Sequence, residues 1–302
     1  MTQKAPHTLF DRTRVARNRD RASSCFETYD FFIRRESNQL LERLEDVSRE
    51  FPLALDLGSH CGTTATALND SEKIGFAAAL ERSKKMATMA RNAGISVVNG
   101  DEEALPFRPG VFDLVTSILS MHWLNDLPGA MIQLRQALKP DGLFLGCLFG
   151  GTTLTELRSS LIAAESELYG GVSPRISPMP GLQDMAGLLQ RTGFALPVAD
   201  IERVTVRYDH PLKLLQDLKG MGEQAAFVRQ AGETTRRPIS RRLITRMSEV
   251  YQDQFSDPDG RIRATFEIIW LSGWAPSASQ PQPLKPGSAK ASLADAVKKT
   301  RE

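Results

Sequence analysis

The run Leu53-Ala-Leu-Asp56-Leu is apolar, ends in an acid, and is followed at once by Gly58, Gly62 and a helix-forming stretch. A strand, a glycine turn and a helix N-terminus in that order are the layout of a nucleotide-type cofactor site. The spacing argues against a dinucleotide fingerprint. G-x-G-x-x-G would need glycine at 58, 60 and 63, and the chain has Gly58, His60 and Thr63. No Gly-Lys-Ser/Thr ending marks a phosphate loop. Further acids follow where strands are expected to end. Glu81 closes the apolar run 73–80, and Asp101 and Glu102 follow Asn99-Gly100. Ser117 closes the run 111–117, with His122-Trp123 just beyond. A carboxylate at a second strand end accepts two hydrogen bonds from a ribose cis-diol, which a neutral side chain matches less strongly. Taken singly, each acid reads equally well as an exposed strand-end carboxylate. Together and in this order they do not.

The elements that position these residues are strands 53–57, 73–79, 96–98, 111–117 and 143–149, with helices between them, for example 83–92 and 128–138. Asp126-Leu-Pro128 reads as a helix start and Pro140-Asp-Gly142 as a helix stop. Short apolar strands alternating with helices imply an α/β fold, a mostly parallel sheet covered on both faces. Residues 26–50 read as helix and 1–8 as loose. After 150, Thr153–Tyr169 and Asp184–Thr192 read as helices, while 170–181 is too rich in proline and glycine for regular structure. Glu202–Tyr208 and Ala264–Gly273 read as paired closing strands, with a helical insert over 212–256. The division expected is an N-terminal helical segment 1–50, a cofactor-binding core 51–150, a substrate-side half 151–275 and a disordered tail 276–302 rich in Pro, Ser, Gln and Lys.

The 302 residues carry a formal charge of +2, which gives no sign of a nucleic-acid surface. No stretch is long and apolar enough to span a membrane. The three cysteines, Cys25, Cys61 and Cys147, are widely spaced and form neither a disulfide framework nor a zinc pattern, which suggests a reducing compartment, the bacterial cytoplasm. Cys61, in the glycine turn, reads as a small tolerated side chain rather than a nucleophile. The arginine-rich start, Leu9 to Arg21, contains Asp11 and Asp20 and few serines, so it reads as a solvated helix face and not as a transit peptide. Tyr208, Tyr251 and Trp270 read as core.

Asp56-x-Gly58-x-x-x-Gly62 resembles the first motif of class I S-adenosylmethionine-dependent methyltransferases, with His60 where those enzymes usually carry a second glycine. The runs around Glu81, Asp101, Asp113, His122 and Leu138-Lys-Pro140 resemble the later motifs, in the right order. The resemblance implies a Rossmann-like sheet and S-adenosylmethionine as cofactor. It implies that Asp56 and the 58–62 turn seat the methionine moiety, that Glu81 holds the ribose, and that Asp101 and Glu102 contact the adenine. It places Ser117 and His122 by the sulfonium, His122 as the candidate base. Because His60 carries a Cβ and does not easily take positive φ, it is expected to crowd the methionine moiety or reshape the turn.

The second half is more specific. Leu148-Phe-Gly150-Gly151-Thr-Thr-Leu-Thr-Glu156-Leu-Arg158, Gly170-Gly171-x-Ser173-Pro174-x-Ile176-Ser177-Pro178 and Leu218-Lys-Gly220-Met221-Gly222-Glu223 look like the complex I assembly factor 5 family. So do Leu9-Phe10-Asp11-Arg12 and Arg49-Glu-Phe51-Pro52, so the resemblance covers about 10–285. It implies a protein substrate, a respiratory complex I subunit, modified on arginine by hydroxylation or methylation. It also brings near the methyltransferase that acts on malonyl-carrier protein in biotin synthesis. The family's Met-Gly-Glu-Ser-Asn reads Met221-Gly-Glu-Gln-Ala225 here. Trp123, Arg158, Arg175 and Met221 are the substrate-side candidates. Methyl transfer needs in-line placement, a closed pocket and a base. Hydroxylation normally needs a redox metal or flavin. None of His7, His60, His122 and His210 begins the His-x-Asp/Glu pair of a non-haem iron site, so hydroxylation rests on the resemblance alone. A cofactor-binding assembly chaperone without turnover is the third reading.

Overall fold

The computed structural model describes residues 8–228 and 238–280. Helices α1 (Arg12–Ala22), α2 (Phe26–Tyr29) and α3 (Phe31–Glu45) lead into β1 (Phe51–Leu57). There follow α4 (Thr63–Asn69), β2 (Ile74–Glu81), α5 (Lys84–Asn92), β3 (Val97–Asn99) and β4 (Phe112–Ile118). Next come α6 (Leu127–Ala137), β5 (Leu138–Phe149), α7 (Thr155–Tyr169) and α8 (Leu182–Arg191). The last elements are β6 (Ala195–Tyr208), α9 (Pro211–Gly220), α10 (Arg241–Phe255) and β7 (Ile262–Trp274).

The seven strands form one sheet in the order β3-β2-β1-β4-β5-β7-β6. Strands β1 to β5 run parallel, and β7 enters antiparallel between β5 and β6. This is the mostly parallel α/β sheet expected. Both of its faces are covered, which is why its inner strands read as near-continuous apolar runs. Ala54 and Leu114 pack on one face with Leu40, Met247 and Tyr251. Their neighbours Leu55 and Val115 pack on the other with Met131, Leu134 and Leu189. The strand order reverses between β1 and β4, so the C-terminal ends of those two strands diverge into a crevice. Gly58 and Leu119 open on it.

Three expectations need adjustment. The helix over 26–50 is two helices, interrupted at Asp30 (φ −85°, ψ 13°), and it ends at Glu45. Strand β6 starts at Ala195 and not at 202, because β7 pairs with it from Ala195 to Tyr208. The third concerns α1. Asp11 caps it by accepting from the Arg14 N–H at 3.0 Å. Its buried face holds Arg12, Val15, Asn18, Arg19 and Ala22. Arg14, Arg17 and Arg21 are exposed, but the helix is not a solvated arginine face, since two arginines point inward. The 170–181 segment has no regular structure, as its glycines and prolines require. Helices α9 and α10 occupy the expected insert; residues 229–237 between them, the loose start 1–7, and 281–302 of the expected tail lie outside the described residues.

Candidate functional site

The turn after β1 takes its shape from two glycines. Gly58 has φ +70°, and a Cβ there would collide with the Ser120 side chain. Gly62, at φ +88°, starts α4 from the left-handed region with its backbone close against Ala90. His60 also sits at positive φ, 52°, contrary to the expectation that a Cβ would keep it out. Histidine is among the residues that enter this region with least strain. Here its backbone N–H donates to Glu81 Oε2 at 2.9 Å, and its ring stacks on Phe26 with centroids 5.6 Å apart. Burial, with the charge of Arg19 adding to it, holds its pKa well below the usual value, so the ring is neutral. At the end of β1 the Thr116 hydroxyl donates to Asp56 Oδ1 at 3.1 Å. Burial pushes the Asp56 carboxyl up to about 7 against that bond, with Glu81 adding repulsion. Burial likewise pushes the Cys61 thiol up, which suits a packing role rather than a nucleophile.

Glu81 and Glu102 reach this turn, Asp101 is tied to Glu102 through Arg12, and arginines hold all three. Glu81 is fully buried. Its Oε1 accepts from Ser83 N at 2.7 Å, its Oε2 from His60 N, and Arg19 Nη1 reaches both oxygens at 3.4 and 3.2 Å. Arg19 Nη2 donates to Ser120 Oγ at 2.9 Å, and Ser120 Oγ donates to Glu102 Oε1 at 3.2 Å. Arg12 bonds both Glu102 and Asp101, and Arg82 bonds Asp101. Asp20 Oδ1 accepts from Ser83 Oγ at 2.6 Å and Lys85 N at 3.0 Å, tying α1 to the start of α5. Burial raises the Glu81 carboxyl, opposed by Arg19 and reinforced by Glu102. Burial also pushes Glu102 up, but Arg12 and Arg19 outweigh it and hold its pKa below the ordinary value.

These residues suit an adenosyl ligand without phosphate: a glycine cradle, a carboxylate at the second strand end for a diol, and no lysine–glycine anion nest. One condition attaches. A carboxylate offers about four lone-pair sites, and two backbone N–H groups plus the two Arg19 contacts use those of Glu81. A diol binds there only after Arg19 has moved off.

A second group lies beyond β4. His122 is buried, with Nε2 at 2.9 Å from Glu223 Oε2 and Nδ1 without a hydrogen-bond partner. Trp123 Nε1 donates to the same Glu223 oxygen at 2.9 Å. In the neutral tautomer that gives Nε2–H to the carboxylate, Nδ1 is left with the lone pair, the arrangement of an oriented base. Ser117 is fully buried, and its hydroxyl donates to the Leu57 carbonyl at 2.9 Å. Next to Glu223 opens a cavity of about 420 Å³, walled by Trp123, Leu157, Leu218 and Met247 among others. Arg175 also lines it, but its guanidinium is bound to Glu165 (2.9 and 2.5 Å). Arg158 is not among the lining residues; it reaches the Ser177 carbonyl at 3.4 Å. Met221 lines a smaller adjoining cavity with His60, Phe149 and, again, Glu223. Tyr208, Tyr251 and Trp270 are buried core residues.

Sequence reasoning missed Arg12, Arg19, Ser120 and Glu223. The first two carried a signal. They share the 12-15-19-22 spacing of one helix face with Val15 and Ala22, a face that helix periodicity assigns to the interior. Glu223 follows two glycines that each serve a close contact. A Cβ on Gly220 would strike the Tyr29 ring, and Gly222 has φ +83°.

The sheet order and this crevice define a methyltransferase-class fold, and the comparisons agree. The family model described as "Methyltransferase domain" matches residues 55–146. The YcgJ protein of Bacillus subtilis superposes with a TM-score of 0.54 at 18% identity, covering 80% of this chain and 99% of that one. A malonyl-[acyl-carrier protein] O-methyltransferase of Methylovorus sp. is 29% identical over 89% of this chain and 91% of its own. The mitochondrial arginine-hydroxylase NDUFAF5 of Danio rerio is 40% identical over 96% of this chain and 90% of its own. The human protein of that name is 39% identical over 96% and 84%. The chain belongs to the arginine-hydroxylase NDUFAF5 family, the complex I assembly factor 5 family it resembles in sequence.

Proposed function

We propose that this protein binds S-adenosylmethionine in the β1/β4 crevice and modifies an arginine side chain of a respiratory complex I subunit during assembly. The observation that carries the reading is the meeting of Glu81 and Glu102 at the Gly58 turn, with Asp101 beside them on Arg12, in a chain of this family. Bound there, the cofactor supplies an activated methyl on a sulfonium. Asp56, Gly58, His60 and Gly62 seat its methionine end, Glu81 takes the ribose diol, and Asp101 and Glu102 take the adenine side. Ser117 shapes the floor of the crevice. His122, oriented by Glu223, accepts the proton. Trp123 and Arg175 wall the substrate cavity, and Arg158 and Met221 shape its surroundings. The three free cysteines suit a reducing compartment, the bacterial cytoplasm.

Methyl transfer is the reaction we adopt, because it asks only for placement, a closed pocket and a base. Hydroxylation is the second reading, favoured by the name of relatives at 40% identity. Mass spectrometry of complex I subunits from a deletion strain decides between them. A methyl missing from an arginine supports transfer, and a missing oxygen supports hydroxylation. Unchanged arginines would overturn the assignment of this substrate.

A further inference from the structure

Glu223 is the one acid on the walls of both cavities beyond β4, among the described residues. It therefore stands between the 420 Å³ chamber and the glycine turn at His60. Its side chain is 9% exposed. One oxygen, Oε2, takes the bonds from His122 and Trp123. The other, Oε1, has no donor among the described residues. A nearly buried carboxylate with an open oxygen calls for a cationic partner. Most of the remaining wall is apolar, with Leu157, Leu218 and Met247 along its length, and Arg14, Arg175, Ser177 and Gln224 supply its other polar groups. Such walls suit a hydrocarbon stem with a charged tip.

We propose that this chamber takes the arginine side chain of the protein substrate, its stem along the apolar wall and its guanidinium on Glu223 Oε1. This rests on the arginine reading above and deepens it by naming the residue that selects the side chain. A guanidinium is more weakly hydrated than an ammonium and stacks on aromatic faces, here Trp123, so arginine is favoured over lysine. Acidic side chains are repelled by Glu223. The other charges on the chamber do not compete for the same place. Arg175 is neutralised by Glu165, and Arg14 is exposed at the rim, where solvent screens it.

The test is calorimetric and needs no turnover. The whole protein is titrated with N-acetyl-arginine amide and with its lysine and citrulline counterparts. Citrulline keeps the shape of arginine and loses the charge. The expected order is arginine, then lysine, then citrulline, with at least tenfold between arginine and citrulline. Glu223→Gln should abolish that difference, and Glu223→Asp should retain part of it. The comparison among ligands on the unaltered protein stands even where a variant folds poorly. Equal binding of arginine and citrulline, no arginine binding at millimolar concentration, or a folded Glu223→Gln protein that keeps the preference each overturn the proposal. Failure of the functional reading is separate. Unmodified complex I arginines in the mass-spectrometric test would remove that substrate while leaving an arginine preference at Glu223 intact.

Discussion

Asp56 keeps a proton in the folded protein over a range where an unfolded aspartate has lost it. Its folded pKa is about 7, against an ordinary 3.8. Between those values the folded state binds one more proton than the unfolded state, so stability falls as pH rises through the window and levels off above it. The difference is on the order of 4 kcal/mol at one pKa unit per roughly 1.4 kcal/mol. Asp56→Asn, which keeps the shape and never ionises, is expected to flatten denaturant-measured stability between pH 4 and 7 and to exceed the parent above it. An unchanged pH slope would show that some other group carries it. Arg175 makes a different prediction. Its partner Glu165 is buried and also accepts from Ser173 N at 2.7 Å. Arg175→Ala strands that carboxylate, so the melting temperature should fall before any effect on recognition is read. A normal melting temperature would make the Arg175–Glu165 pair dispensable.

At the scale of elements, α1 depends on interactions that its own sequence does not contain. Arg19 sits against Glu81, and Arg12 against Asp101 and Glu102. Removing one partner of a buried pair costs about 3–5 kcal/mol because the other charge is left uncompensated. Arg19→Ala should therefore lower stability by that order, and adding Glu81→Gln should recover much of it. Recovery measured by urea unfolding checks the pairing; a double variant as unstable as the single one would remove it. The same contrast explains what the sequence could disclose. The strands were legible because both faces of the sheet are buried and the apolar runs say so locally. The acids were legible because they stand at strand ends. The α1 arginines that meet those acids come from 62 to 90 positions away, and the carboxylate that orients His122 from 101. No local pattern encodes such a meeting. His60 at positive φ was missed for a related reason. Its strain is offset by Glu81 and Phe26, neither adjacent in the chain.

At the scale of the whole molecule, the proposed function divides binding between the sheet and the half beyond residue 150, and Glu223 lines both the chamber of that half and the small cavity at His60. The sheet motifs serve many acceptors and cannot encode one. The chamber walls come instead from α7, α9, α10 and the 170–181 segment, joined by Trp123 and Arg14. The arginine contacts of α1 have a consequence outside the crevice. With the ribose diol on Glu81 as proposed, Arg19 has to leave that carboxylate, which would couple occupancy of the crevice to how firmly α1 is docked. Arg14, Arg17 and Arg21 are already exposed on that helix, and what shields them from trypsin is helical order alone. Saturation with S-adenosylmethionine or its demethylated product should then speed cleavage in α1 while slowing it elsewhere, as ligand binding stabilises the remainder. Equal protection of α1 would mean that Arg19 swings aside within a fixed helix. Otherwise the N-terminal peptide released by the protease is a gauge of cofactor loading, readable on a gel without any substrate present.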